Sequence, residues 1–150
     1  LLDVIEQHVL LTVQQRFDES FRSFFEALID DEQLRADIDT EFTPRVTQQG
    51  YDVDIDDLSG GEKTSVALAY RLAMNDVIND YMEEVRTDDL LVLDEPTDGF
   101  SGEQLDRLRD ILKDLQASQI ILVSHEEKLE GVTEHLLRVR KVNSRSEVTR

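Results

Sequence analysis

The sequence predicts an α/β fold in which a mostly parallel sheet with flanking helices is preceded by a coiled-coil-like helix. Three observations carry this expectation. Apolar residues recur at helical spacing over residues 1–29. Two short runs, Leu90-Leu91-Val92-Leu93 and Ile120-Ile121-Leu122-Val123, are wholly apolar, as strands buried on both faces are. A helical pattern lies between them, which makes the order strand, helix, strand.

Each element has its own pattern. Leu2, Ile5, Val9, Val13, Phe17, Phe21, Phe24 and Leu28 recur at steps of three and four, which is one face of a helix. The stripe fits a coiled-coil seam or an ordinary core helix. From residue 36 the period changes. Ala36 to Phe42 and Tyr51 to Ile55 alternate apolar and polar side chains, as half-buried antiparallel strands do, with Pro44 and Gly50 as punctuation. A long helix rich in Ala, Leu and Met should run from Gly61 to Glu84, and an amphipathic one from Glu103 to Leu115. His135–Val142 and Ser146–Thr149 are expected to close the chain as an edge hairpin. The organisation expected is a helix at 1–29 and a lobe at 30–150.

Bulk properties narrow the class. At 150 residues and 39% hydrophobic, the chain is one domain's length and can bury a core, which excludes a disordered tail. No apolar stretch approaches the roughly 20 residues of a membrane span. The N-terminus has no basic region before an apolar one, so it does not read as a signal peptide. It begins without Met, and a fragment of something longer is expected. Cysteine is absent, so disulfides and thiolate metal sites have no place in this chain, and a reducing cytoplasm fits.

Three loops carry candidate chemistry. Leu58-Ser59-Gly60-Gly61-Glu62-Lys63 opens the long helix. Its glycines let backbone approach a ligand, and a helix N-terminus offers unpaired N–H groups to an anion. The same Ser-x-x-Glu spacing is also a capping box, which would satisfy the helix end and nothing more. Asp94-Glu95-Pro96-Thr97 comes directly after the first apolar run, where open α/β sheets place ligands. Asp94 suits magnesium on nucleotide phosphates, and Glu95 suits the water that attacks a γ-phosphate. Ser124-His125-Glu126 ends the second run. A neutral imidazole at position 125 near a helix start can donate to a γ-phosphate, whereas Ser124 with Glu127 spells another cap. His8 and His135 lack such a setting and read as structural. A Gly-x-x-x-x-Gly-Lys-Ser/Thr phosphate cradle occurs nowhere, and no Gly precedes Lys. The chain is therefore expected to need a second segment before it can hydrolyse ATP.

In this order the strings resemble the ABC ATPases: a signature at Leu58–Lys63, a Walker B strand at Leu90–Glu95 and a switch histidine at His125. Glu62-Lys63 and the long helix look like the structural-maintenance-of-chromosomes relatives. Leu72-Ala73-Met74 after Arg71, with the Pro96-Thr97 ending, looks like the Rad-fifty-type double-strand-break-repair ATPases. The resemblance implies the C-terminal lobe of an ABC-type ATPase head, using ATP and magnesium, with an N-terminal lobe supplying the cradle. It implies homodimerisation of two heads around ATP. Ser59, Gly60, Gly61, Glu62 and Lys63 would then serve the opposite head's nucleotide, and Asp94, Glu95 and His125 their own. It implies a Mre-eleven-type nuclease at the helix 1–29, DNA engaged through the whole complex, no membrane, and a cytoplasmic, nucleoid-associated location. Arg71 would couple nucleotide state to the coils, or be a surface Arg paired with an acid. The family's usual Asp after Walker B is replaced by Ser101, which with Gln104 also spells a cap. Alternatives are a head for chromosome organisation or recombination, a transporter ATPase, which Glu62-Lys63 disfavours, and a structural domain in which all three loops are caps.

The net charge of −18 opposes a strong DNA groove in this chain; Arg138, Arg140, Lys141, Arg145 and Arg150 cluster near its end, as an edge strand kept soluble by charge or a modest phosphate-binding strip. Asp outnumbers Glu, and Lys occurs only at 63, 113, 128 and 141, a balance that points to a salt-loving source. Screening shortens from roughly 10 Å at 0.1 M salt to 3 Å at 1 M, which relieves self-repulsion in the folded state. The thermal midpoint should therefore rise by several degrees between these salt concentrations; equal midpoints would contradict this account.

Overall fold

The helical repeat at the start of the chain forms one helix, α1 (Leu2–Leu28), whose apolar stripe divides into two halves. The computed structural model describes residues 2–81, 90–115 and 117–149. In the later half of α1, Phe17, Phe21, Phe25 and Leu28 are buried, with Val13 and Phe24 partly so. In the first half Ile5, Val9, Leu10 and Leu11 stay more than half exposed. Phe25, which the helical spacing leaves out in favour of Phe24, stacks on Phe21 with ring centroids 6.2 Å apart.

The alternating segment becomes a three-stranded antiparallel meander: β1 (Leu34–Ile38), β2 (Pro44–Gln48) and β3 (Tyr51–Val53). Leu34, Ala36 and Ile38 point inward from β1. The alternation expected to reach Phe42 stops at Ile38, because Asp39 draws the chain into a turn. Its carboxylate accepts from the backbone N–H groups of Glu41 and Thr43, each at 2.8 Å. Phe42 then adopts φ 61° and sends its ring against Phe17, centroids 5.7 Å apart. Pro44 is not punctuation. It opens β2 opposite Ile38, at the first position of a strand, where proline is tolerated. Gln49 and Gly50, both at positive φ, make the two-residue turn into β3.

A short 3-10 turn (Ile55–Asp57) leads into α2 (Gly60–Tyr81); the expected extension to Glu84 lies outside the described residues. Its buried side carries Leu68, Ala69, Leu72, Ala73 and Val77, and it packs along α1. Tyr70 meets the Phe17 ring edge-on at 5.0 Å and donates its hydroxyl to the Phe42 carbonyl at 3.2 Å. Farther along, Arg16 of α1 pairs with Asp80 at 2.9 Å and Asp76 at 3.2 Å, and Ser20 donates to Asp76 at 2.7 Å. The hydrogen bond to Asp80, more than any other influence, raises the Arg16 pKa above its ordinary value.

The two apolar runs form β4 (Leu91–Asp94) and β5 (Ile120–Val123), paired in parallel and joined through α3 (Gly102–Asp114). Leu91 and Leu93 face the core with Leu108 and Leu112 of α3. The other face is open: Val92 is 55% exposed, Ile121 41% and Val123 48%. The expectation that both faces are covered does not hold for this chain. The parallel part is also a single pair, and the remaining strands are antiparallel. A parallel neighbour requires a crossover, and the sequence has one such β–α–β unit. The expectation of a mostly parallel sheet is therefore not met among the described residues.

A second 3-10 segment (Glu127–Val132) precedes the closing hairpin, β6 (Arg138–Val142) and β7 (Arg145–Thr149), turned through Asn143 and Ser144 at φ 48° and 64°. Every residue of both strands is exposed. No described helix is long and apolar enough to cross a membrane.

The division of α1 has a measurable consequence. Phe21→Ala should cost about 3–5 kcal/mol in urea unfolding, while Val9→Ala should stay within about 0.5 kcal/mol. Equal losses at the two positions would contradict this packing.

Candidate functional site

The site is built where β4 and β5 end side by side. Asp94 lies opposite Val123, and the Glu95 N–H continues the ladder by donating to the Val123 carbonyl at 2.9 Å. Glu95 then turns with φ 44°, a left-handed conformation that costs a non-glycine residue roughly 1–2 kcal/mol. The residues beneath it hold that turn. Pro96 and Thr97 are buried, and the Thr97 and Ser124 hydroxyls are 3.1 Å apart. This brings Glu95 Oε2 to 2.9 Å from His125 Nδ1. Two residues 30 apart in sequence thus form one polar pair.

The pair is accessible, with side chains 45% and 69% exposed, so it adds little to stability. An ionised Glu95 can only accept, so Nδ1 carries the proton in this contact. A neutral ring then leaves Nε2 as an acceptor, and it can donate to a phosphate only after releasing Glu95. Only a doubly protonated ring donates from both nitrogens. Ser124 does not form the expected box with Glu127; its hydroxyl accepts from the Glu126 N–H at 3.1 Å. The chain beyond His125 enters a 3-10 segment at Glu127 and not a full helix, so any helix dipole acting on the imidazole is slight.

Asp94 is exposed at the strand end, and its carboxylate makes no hydrogen bond or ion pair among the described residues. No group of three or more His, Asp or Glu side chains among them is arranged to hold a metal. Magnesium commonly uses one or two carboxylates together with phosphates and water. Asp94 fits a partial coordination sphere of that kind. Glu126, with Oε1 3.8 Å from His125 Nε2, adds further negative charge beside the pair, so a polyphosphate would need cations from elsewhere.

The glycine loop stands one step away. Ser59 and Glu62 form the capping box: the Ser59 N–H and hydroxyl each donate to Glu62 Oε2 at 2.7 Å. Lys63 Nζ donates to the Asp56 carbonyl at 2.7 Å. None of these side chains bonds Asp94, Glu95 or His125 among the described residues. Gly60 is exposed and Gly61 is buried, and the loop meets the chain beyond Glu95 at Asp98–Ser101. Ser101 caps α3 with Gln104 in a full capping box. Arg71 is exposed.

Sequence reasoning includes Thr97 in the candidate loop without giving it a role, and misses Thr64. Thr97 is fully buried against Ser124, and Thr64 donates its hydroxyl to the Asp98 carbonyl at 2.7 Å. A threonine directly after Pro96 was a usable signal for the first. Nothing local marked the second.

A family model described as "AAA domain, putative AbiEii toxin, Type IV TA system" matches residues 5–129. The chain is similar to the DNA double-strand break repair Rad50 ATPase of Pyrococcus abyssi, 37% identical over 69% of this chain and 11% of that protein. It is likewise similar to the Rad50 ATPase of Thermoplasma acidophilum, 37% identical over 75% of this chain and 12% of that protein. It therefore spans about a ninth of these relatives' length. In fold it is similar to the Smc head domain with a coiled coil and joint from Pyrococcus yayanosii. The TM-score is 0.76 at 16% identity, over 98% of this chain and 29% of that one. The chain belongs to this AAA-domain family and to that of the Rad50 ATPases.

Proposed function

We propose that this chain is the C-terminal half of an ATP-hydrolysing head that dimerises on ATP and works in DNA double-strand break repair. The observation that carries the proposal is the 2.9 Å pairing of Glu95 with His125 at the ends of adjacent parallel strands. Glu95 orients the attacking water and accepts its proton as the γ-phosphoryl group leaves. His125 donates to the γ-phosphate, and in doing so releases Glu95 for the water. Asp94 would hold the magnesium ion, which supplies charge neutralisation on the β- and γ-phosphates.

The remaining parts come from elsewhere. An N-terminal lobe brings the Lys-bearing phosphate cradle and covers the open face of Val92, Ile121 and Val123. Parallel strands are otherwise buried on both sides, which supports that reading. Ser59, Gly60 and Gly61 are presented to the nucleotide of a second, identical head. Their capping hydrogen bonds are compatible with this role, because a capped helix start is a rigid one. Glu62 and Lys63 hold that loop from behind. The exposed stripe Ile5, Val9, Leu10 and Leu11 is the docking surface for a Mre-eleven-type nuclease. DNA is engaged through the whole complex, in the cytoplasm at the nucleoid. A head for chromosome organisation is the second reading, favoured by the likeness to an Smc head.

Glu95→Gln in the full-length ATPase removes the proton acceptor and keeps the shape. Hydrolysis should fall about a hundredfold or more, with ATP affinity within a few-fold of wild type. The ATP-bound dimer should accumulate, as sedimentation would record. Unchanged turnover would overturn the assignment of Glu95.

A further inference from the structure

The turn beyond the acidic pair and the first turn of α2 are built into one another. A Cβ on Gly61 would stand 2.8 Å from the Gly99 carbonyl oxygen, and one on Gly99, at φ +75°, only 3.1 Å from Gly61 N. The two backbones therefore touch, and glycine is required on both sides. Two side chains fasten the contact. Thr64 donates to the Asp98 carbonyl at 2.7 Å. Gln104 reaches in both directions. Its Oε1 accepts from the Ser101 N–H at 3.0 Å, while its Nε2 donates to Ser65 Oγ at 3.2 Å and the Gly61 carbonyl at 3.4 Å. Ser65 is fully buried, and its own hydroxyl donates to the same Gly61 carbonyl at 2.9 Å.

The two ends of the Gln104 amide do separate work. The oxygen completes the cap of α3, for which glutamate serves equally. The nitrogen reaches α2, and a carboxylate has no donor to offer there. A bond needed only for capping would not require an amide. We propose that Gln104 is a positioning residue that couples the two half-sites of one head. It locks the Asp98–Ser101 turn, and through it Glu95, to the glycine loop that serves the opposite head's nucleotide. Gln104 touches neither nucleotide. It sets the loop's position relative to Glu95, and a misplacement on the order of 1 Å is enough to cost rate. The inference rests on the ATPase reading above and adds the residue through which the two sites communicate.

Gln104→Glu in the full-length ATPase separates the two roles, because it keeps the cap and removes the donor. The thermal midpoint should stay within about 2 °C of wild type. Turnover should fall about tenfold, with KM for ATP within about twofold. Without nucleotide, amide exchange at residues 60–65 and 98–101 should accelerate together. Turnover within about twofold of wild type would overturn the proposal whatever the exchange result, and so would a loss of activity that merely tracks a collapse in stability. A wild-type ATPase without turnover is a different result: it would sink the ATPase reading, and this coupling with it.

Discussion

The parallel register of β4 and β5 decides where everything chemical in this chain ends up. Leu91 and Leu93 must face Leu108 and Leu112, and that demand fixes which side chains point inward. With the pleat fixed, Asp94 falls opposite Val123 and both strands release their chains at one end. A slip of one residue would turn Leu91 and Leu93 to solvent and carry the imidazole away from the carboxylate. The strained Glu95 backbone is tolerable only because the register also seats Pro96 and Thr97 in the interior. Hydrophobic packing thus supplies the free energy, and the geometry of the polar pair is its consequence.

A second constraint runs lengthwise. The helix α2 carries the glycine loop at its start and is gripped by α1 along its body, through Tyr70 on the Phe17 and Phe21 rings and Arg16 on Asp76 and Asp80. Helices are stiff, so a displacement of the glycine loop has to be absorbed by that contact or passed along α1. The packed part of α1 begins near Phe17, and before it the helix presents Ile5, Val9, Leu10 and Leu11 to solvent. The change from packed to open falls beside Arg16. In the proposed head, a displacement passed along α1 would leave the packed part of the helix at that point.

The elements legible in the sequence are those whose signals are local and dense. The helices at α1, α2 and α3, the strands β4 and β5 and the closing hairpin are all visible in the periodicity. So is the placement of Asp94, Glu95 and His125 at strand ends. β2 is not legible, because Pro44 looks like a breaker until its position as first residue opposite Ile38 is known. The split in the α1 stripe is not legible either, since Val9 and Phe21 look alike to a helical repeat and differ only in what α2 brings beside them. The open face of β4 and β5 escapes the sequence for a related reason. A run of apolar residues says that both faces avoid water, and it does not say that this chain supplies both covers. Gln104 is visible only as a capping partner; its second bond depends on a glycine 43 residues earlier.

In the proposed head these features divide binding and chemistry between lobes. Beside His125 the chain places Glu95 and Glu126, with Asp94 at the end of the neighbouring strand, and its net charge is −18. Such a surface repels a polyphosphate. In the proposed head it suits another task, with Glu95 orienting a water and taking its proton. The cationic cradle absent from this sequence and the apolar cover absent from the open sheet face are two aspects of one deficit. A single lobe supplying both would bring phosphate-binding charge to the strand ends only when it docks. On that reading the carboxylates meet nucleotide only in the assembled head.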